Sequence, residues 1–157
     1  MLRRFVLALV LALLAAPAGA GERTLPRFAS LGAGEVNLRA GPGTQFPVAW
    51  VLTRRHLPAE VLAEYGQWRK VREPGGSVGW VHKSLLSAAR WVIVVGAVRT
   101  IRAAPTAAAA AVARAEPGVI ARLLACHGPW CRIAAGDAEG WLRRTAIWGV
   151  YPDETVE

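Results

Sequence analysis

Cysteine, methionine and acidic residues are scarce in this chain. It has two cysteines and one methionine, and its 11 Asp and Glu residues are outnumbered by 19 Lys and Arg residues. Two cysteines are too few for a disulfide-rich scaffold, and no second Cys or His pair stands at the spacing of a zinc site. The phosphate-binding loop, the dinucleotide fingerprint, G-x-S-x-G and H-E-x-x-H are all missing. We therefore expect no metal, no cofactor and no enzymatic activity.

Long apolar runs are absent beyond the first twenty residues. Within those twenty, "MLRR" supplies a positive start, "FVLALVLALLAA" an apolar run and "AGA" a small-residue cleavage site. This layout is typical of a secretory signal peptide, and the run is shorter than the roughly twenty apolar residues that span a membrane. We expect cleavage after Ala20 and a periplasmic or secreted protein that keeps no stable membrane anchor.

The mature chain that follows from this cleavage is basic. Without Arg3 and Arg4 it keeps 17 basic and 11 acidic residues, a net charge of +6 over 137 residues. Such a charge favours anionic partners such as cell-wall polymer, lipid headgroups or acidic proteins, although it also serves solubility. Nucleic acid is not an expected partner, because the chain is exported and its basic residues are dispersed.

One sequence unit occurs twice in the chain, with an offset of 61 to 63 residues. Three blocks align in the same order: "VNLRAGPG" (36–43) with "RTIRAAPT" (99–106), "EYGQWRKV" (64–71) with "CHGPWCRI" (126–133), and "GWVHKSLL" (79–86) with "GWLRRTAI" (140–147). Self-similarity of this kind indicates two tandem homologous units.

Each unit is predicted to be all-β. The runs "PAEVLAEY" (58–65) and "PGVIARLLAC" (117–126) lead through a glycine-containing turn into a strand that begins with Trp, which is a hairpin signal. Frequent turn residues and the lack of an amphipathic helix favour a small barrel or sandwich. The run "TAAAAAVARAE" (106–116) has high helix propensity. Because it is short, we expect a loop or a single helical turn there.

The two cysteines bracket the turn of the second unit's hairpin. Cys126 aligns with Glu64 and Cys131 with Arg69, and residues flanking such a turn face each other across the strands. Two thiols thus replace an opposite-charge pair, which in an oxidising compartment predicts a structural disulfide worth roughly 2 kcal/mol. A redox couple is less favoured because the C-x-x-C spacing is missing. A nucleophile paired with His127 is less favoured because the second thiol would quench it.

Seven tryptophans are the strongest remaining signal. Four of them repeat between the units and are interpreted first as core residues of the shared fold: Trp68, Trp80, Trp130 and Trp141. The other three have no aligned partner and are expected at the joint between the units or along a groove: Trp50, Trp91 and Trp148.

The pattern "VNLRAGPG…W…GQWRKV…GWVHKSLL" resembles the bacterial SH3 domain family (SH3b). That family has an N-x-R-x-G-P start, a G-x-W-x-x-V middle and a G-W-V end. The wider run, from "LPRFASLG" to "IWGVYPDE", is similar to a group of exported tandem SH3-like proteins of proteobacteria. The resemblance covers nearly the whole mature chain. It implies two five-stranded SH3-like barrels without catalytic activity of their own.

The expected fold class is therefore all-β, with two tandem small SH3-like barrels after a cleaved signal peptide. The predicted boundaries are a signal peptide at 1–20, an N-terminal arm at 21–33, a first repeat at 34–90, a second, disulfide-stapled repeat at 91–150 and a C-terminal tail at 151–157.

The resemblance also implies a function, because SH3b units act elsewhere as targeting modules that often bind peptidoglycan peptides. The first repeat is the expected binder, since its "GPGTQFP" becomes "APTAAAA" in the second. The leading hypothesis is an exported, non-enzymatic module that holds a peptide or peptidoglycan component in an aromatic groove. An envelope protein–protein adaptor or scaffold is the alternative. An enzyme with an unrecognised site would instead require a deep polar cleft.

Seven residues of the first repeat are the candidate ligand contacts: Asn37, Arg39, Trp50, Tyr65, Trp68, Trp80 and Lys83. Arg39 and Lys83 are the candidates for meeting a ligand carboxylate. Because Arg39 repeats as Arg102, we favour for it a structural role in which it bonds loop carbonyls.

Overall fold

The computed structural model describes residues 24–157, and the predicted signal peptide lies outside them. The first unit consists of β1 (Arg27–Leu31), β2 (Val36–Arg39), β3 (Val48–Leu52), β4 (Pro58–Tyr65), β5 (Trp68–Arg72), β6 (Val78–His82) and β7 (Leu86–Ser87). The second consists of β8 (Trp91–Val94), β9 (Arg99–Arg102), β10 (Ala111–Ala115), β11 (Ile120–His127), β12 (Trp130–Ala135), β13 (Ala138–Arg143) and β14 (Ile147–Trp148). A short 3-10 turn precedes each last strand, at Lys83–Leu85 and Arg144–Ala146.

Each unit is one seven-stranded antiparallel sheet, and the two sheets have the same topology. The strand order is β3-β2-β6-β5-β4-β1-β7 in the first and β10-β9-β13-β12-β11-β8-β14 in the second. Counting strands from the start of each unit, the two orders are identical. The predicted tandem all-β architecture is therefore confirmed.

The N-terminal boundary differs from the expectation. Residues 27–31, expected within an arm, form β1, which pairs with β4 and β7. Their counterpart in the second unit is β8, which pairs with β11 and β14. These strands and the two-residue last strands raise the count from the expected five to seven. β1 is stable there because it buries Ala29 and Leu31 in the core.

The alanine-rich run also differs from the expectation of a loop or helical turn. Its first residues do form a turn, but residues 111–115 form β10, which pairs with β9. The sheet edge offers hydrogen bonds along the whole strand, whereas a helix this short would be marginal. Among the residues described, no helix has the length and apolar character of a membrane span.

Each sheet encloses its own hydrophobic core. Leu31, Leu38, Val61, Val71 and Val81 are fully buried in the first. Their counterparts, with the two cysteines, fill the second. Irregular registers in the β2–β3, β4–β5, β9–β10 and β11–β12 pairs are the kind of bulge that bends a sheet around a core.

The two units are joined by packed side chains. Ile93, at 7% exposure, belongs to the first core although it lies on β8 of the second unit. Phe28 of β1 meets the Trp148 ring edge-on, with the ring centroids 5.0 Å apart. Trp91 stacks on His56 with centroids 4.0 Å apart. Trp91 and Trp148 therefore lie at the joint, one of the two places predicted for them.

Candidate functional site

The outer face of the first sheet carries aromatic and basic side chains. Val71 of β5 and Val81 of β6 point into the core, so Lys70, Trp80 and His82 beside them point outward. Cross-strand pairing joins Tyr65 to Trp68, Trp68 to His82, and Trp80 to both Lys70 and Arg39. We call this set the aromatic face: Arg39, Tyr65, Trp68, Lys70, Trp80 and His82.

The aromatic face is open to solvent. Tyr65 is 66% exposed, and Trp68 and Trp80 are half-buried. The Trp68 and His82 rings meet edge-on, with centroids 5.5 Å apart. The expectation that Trp68 and Trp80 pack in the core is therefore wrong. The residues of these two strands that face the core are Val71, Gly79 and Val81. Gly79 leaves no room for a larger residue, because a Cβ there would lie 2.5 Å from Leu38 Cγ.

Arg39 has the structural role favoured by its repetition. Its Nη1 donates hydrogen bonds to the carbonyl oxygens of Thr44 at 3.2 Å and Phe46 at 2.8 Å. In the second unit Arg102 Nη1 donates in the same way to the Ala109 carbonyl oxygen at 2.9 Å. Each arginine thus holds the loop between the second and third strands of its unit, at the edge of the outer face.

Three of the seven candidate residues are not part of the aromatic face. Asn37 is exposed on β2 two residues before Arg39, so it shares that strand's outer side. Trp50, 60% exposed, lies on the edge strand β3 opposite the core residue Leu38. Lys83 lines a separate pocket with Arg27 and Arg69.

Lys70 and His82 join the face without having been predicted. The signal for both was present in the sequence, because they alternate with the buried valines of β5 and β6. Neither residue belongs to a motif, but strand alternation places both on the side of the sheet that carries the two tryptophans.

On the same face of the second unit the charge of Arg132 is paired and Trp130 is covered, whereas Trp141 is half-buried like Trp80. Arg132, the counterpart of Lys70, donates from Nε to Glu139 Oε1 at 2.7 Å, whereas the first unit has Val78 at the Glu139 position. Trp130 is only 8% exposed, and the Arg143 guanidinium lies over its ring, 4.4 Å from the centroid. The first unit therefore has an open aromatic face, on which Lys70 makes no ion pair with any other residue that the structure describes.

A further pocket lies in the second unit, away from the aromatic face. It has a volume of about 700 Å³ between the 3-10 turn at Arg144–Ala146 and the C-terminal tail. Arg144, 9% exposed, is already engaged there, because it donates to the carbonyl oxygens of Gly128, Tyr151 and Glu154. The sequence predicted no site in this place.

Two ionisable groups of the tail have shifted pKa values. Burial opposes ionisation of Glu154, but hydrogen bonds from Arg90 and the Tyr151 backbone N–H, together with the charges of Arg90 and Arg144, outweigh it and lower the pKa of Glu154. Burial and the hydrogen bond to the Glu60 carboxylate raise the pKa of Tyr151 well above its ordinary value. The two shifts favour an ionised Glu154 and a neutral Tyr151, the protonation states in which the tail hydrogen-bonds to Arg90 and Glu60.

The two cysteines form the predicted structural disulfide. Cys126 and Cys131 face each other in the β11–β12 register and are joined by a disulfide, with their Cα atoms 4.1 Å apart. Glu64 and Arg69 hold the same register in the first unit, with Arg69 Nε 3.1 Å from Glu64 Oε1. No group of three or more His, Cys, Asp or Glu side chains that could hold a metal occurs within residues 24–157.

The two all-β units share one topology. In each unit, one hairpin strand begins with Trp, and the strand that contains Gly-Trp precedes a 3-10 turn. These features define a tandem SH3-like protein. The sequence pattern of a family described as "Bacterial SH3 domain" matches twice, at residues 32–88 and 96–149. The chain belongs to this bacterial SH3 domain family.

Wider comparisons give little further guidance. None of the curated proteins matches the chain. Among solved structures, it is similar to NlpC2 from Trichomonas vaginalis at 16% identity and a TM-score of 0.36, covering 78% of this chain and 48% of that one. It is also similar to NlpC1 from Trichomonas vaginalis at 17% identity and a TM-score of 0.36, covering 88% of this chain and 50% of that one. The chain thus spans about half the length of these structures.

Proposed function

We propose that the protein is an exported, non-enzymatic binding module that holds a peptide or peptidoglycan component on the aromatic face of its first unit. The observation that carries this proposal is the difference between the two outer faces. The first leaves Tyr65 exposed and Trp68 and Trp80 half-buried beside Lys70, whereas the second pairs Arg132 with Glu139 and covers Trp130 with Arg143. Membership of the bacterial SH3 domain family supports a cell-wall ligand.

The chemistry of the face suits a short peptide with a carboxylate. Aromatic surfaces hold extended segments with little loss of conformational entropy, because such segments are already stretched before they bind. Lys70 lies beside Trp80 in the β5–β6 register, so a ligand lying on the indole meets an ammonium group. Arg39 adds positive charge, although its Nη1 is engaged with the loop.

Co-sedimentation with isolated peptidoglycan tests this proposal, and the repeat supplies a matched control. Trp80→Ala removes a ring from the aromatic face, and Trp141→Ala removes the aligned ring from the second unit. We expect Trp80→Ala to lower the bound fraction at least several-fold and Trp141→Ala to leave it unchanged. Thermal unfolding of both variants shows whether they remain folded. Wild-type protein that neither pellets with peptidoglycan nor shifts in NMR spectra with stem peptides would overturn the proposal.

A second candidate function is an envelope protein–protein adaptor, and the edge strand β3 favours it. Phe46, Val48, Trp50 and Val51 are 36%, 41%, 60% and 49% exposed at this edge. An exposed apolar edge strand is a template for pairing with a strand of another chain. Capture of a specific protein that survives digestion of the wall, and that is lost with Trp50→Lys, would support the adaptor function over wall binding.

A further inference from the structure

The first unit has a basic cleft that the proposed function does not use. It is a pocket of about 330 Å³ between β1, β5 and the 3-10 turn, and its polar lining includes Arg27, Arg69, Lys83 and Ser84. Glu64 is the acid at its side, 2.8 Å from Arg27 Nη2 and 3.1 Å from Arg69 Nε. Three cations thus stand against one carboxylate.

The cleft has a counterpart in the second unit, fixed by strand register. Phe28 pairs with Glu60 and Trp91 with Arg122, and Glu60 and Arg122 occupy the same position of the repeat. Arg27, one residue before Phe28, therefore corresponds to Arg90. Lys83 corresponds to Arg144 through the aligned G-W blocks.

In the second unit the chain's own acidic tail lies against this place and engages both arginines, and the pocket of about 700 Å³ remains between the tail and the 3-10 turn. Arg144 Nη1 donates to the carbonyl oxygens of Tyr151 at 2.7 Å and Glu154 at 2.8 Å. Arg90 Nη2 donates to Glu154 Oε2 at 3.1 Å. Val156 then pairs with the edge of β11, where the Cys126 N–H donates to its carbonyl oxygen at 2.8 Å. A segment that turns at residues 151–154 and then pairs through Val156 thus satisfies two arginines and a strand edge with one carboxylate.

In the first unit no segment of residues 24–157 occupies the equivalent place. Glu64 is the counterpart of Cys126, and the described part of the chain contains no bridge to it like that of Val156. The Lys83 ammonium makes no ion pair with any residue in 24–157. In one unit, therefore, a tail segment engages the cations of the cleft, whereas in the other, within residues 24–157, a surplus of positive charge remains.

We infer that the basic cleft of the first unit binds a short acidic peptide segment of a partner protein, in the manner in which the second unit binds its own tail. The segment adds a short strand to β4 beside Glu64 and places backbone carbonyl oxygens on the Lys83 ammonium. Its carboxylate lies against Arg27 and Lys83, where the three cations leave uncompensated charge. Strand addition supplies main-chain hydrogen bonds, and the charges select an acidic sequence.

Titration of the full exported chain with a synthetic peptide of residues 151–157, YPDETVE, tests this inference. We expect saturable NMR shifts at residues 27–29, 62–65 and 83–88. Lys83→Gln should weaken binding about tenfold or more, as expected for the loss of a charge-assisted hydrogen bond. Arg55→Gln, which removes an equal charge from an exposed position, should leave affinity unchanged. A peptide with Asn and Gln in place of its acids should bind at least tenfold more weakly.

Three outcomes would overturn the inference: no saturable shift, shifts confined to 126–131 and 144–147 from exchange with the resident tail, or equal affinity for wild type and Lys83→Gln. Trp80→Ala separates this site from the aromatic face. Peptide binding should survive that substitution, whereas peptidoglycan binding should not. The two proposals therefore fail independently.

Discussion

The Tyr151 hydroxyl donates a hydrogen bond of 2.9 Å to Glu60 Oε1, joining the C-terminal tail to the first unit across 91 positions of sequence. Glu60 is only 5% exposed, and its other oxygen accepts a hydrogen bond from Arg72 Nε at 2.9 Å. The Tyr151 ring also packs on Phe28, with centroids 4.7 Å apart. Through Tyr151, the C-terminal tail therefore packs against the first unit and links the two units.

Tyr151→Phe should destabilise the protein by about 1.5–3 kcal/mol, because it leaves one oxygen of a buried carboxylate without its donor. Urea unfolding measures this loss. Tyr65→Phe is the control, since Tyr65 is largely exposed and its hydroxyl should contribute less than about 0.5 kcal/mol. An equal decrease in the free energy of unfolding in the two variants would show that the hydrogen bond from Tyr151 to Glu60 adds no stability.

The hydroxyl of Tyr151 should resist ionisation. The chain has two tyrosines, so in the Tyr65→Phe variant the phenolate absorbance reports on Tyr151 alone. We expect this absorbance to appear only at a pH well above 10.0, the ordinary pKa of tyrosine. A raised pKa means that the unfolded state loses its proton first. The stabilisation is therefore complete below pH 10 and is lost as the pH rises above it. Titration at the ordinary pKa would contradict the buried hydrogen bond to Glu60.

Because of Glu154, the free energy of unfolding of the protein should decrease at acidic pH. Its pKa is lowered in the folded state from 4.5, so the unfolded state takes up the proton first. The stabilisation is complete above the unfolded pKa and is lost as the pH falls through the folded one. Glu154→Gln should be less stable than wild type at neutral pH, and the difference should shrink in acid. A difference independent of pH would show that the Arg90 pairing contributes nothing.

Removal of the disulfide should cost about 2 kcal/mol, the chain-entropy value for so short a loop. The double variant Cys126→Ser/Cys131→Ser measures this in urea. The aligned double variant Glu64→Ala/Arg69→Ala should lose less, about 1 kcal/mol, because a cross-strand ion pair near the surface contributes little. Two free thiols in the exported protein, found by mass spectrometry, would contradict the staple.

Much of the fold was readable from local patterns. The run 58–65, introduced by proline and followed by a glycine turn, is β4 with the same bounds. The replacement of Glu64 and Arg69 by Cys126 and Cys131 is reproduced as one cross-strand register. Patterns within one hairpin succeed because turn geometry fixes which residues face each other.

The aromatic face was only partly readable. The tryptophans were recognised, but their side of the sheet depends on which neighbours fill the core. Val71 and Val81 do so, which turns Trp68 and Trp80 outward. Lys70 and His82 became part of the face through the pairing of β5 with β6, a relationship that no single motif displays.

The sequence by itself determined that one β unit is built twice, and that a charge pair in one copy is a thiol pair in the other. The tertiary structure decided what lies between and around the copies: β1 as a sheet strand, Trp91 and Trp148 at the joint, and Tyr151 on Glu60. The physical reason is distance along the chain. Strands and turns follow from neighbours in sequence, whereas a contact between residues 60 and 151 depends on how the surfaces of the two units pack together.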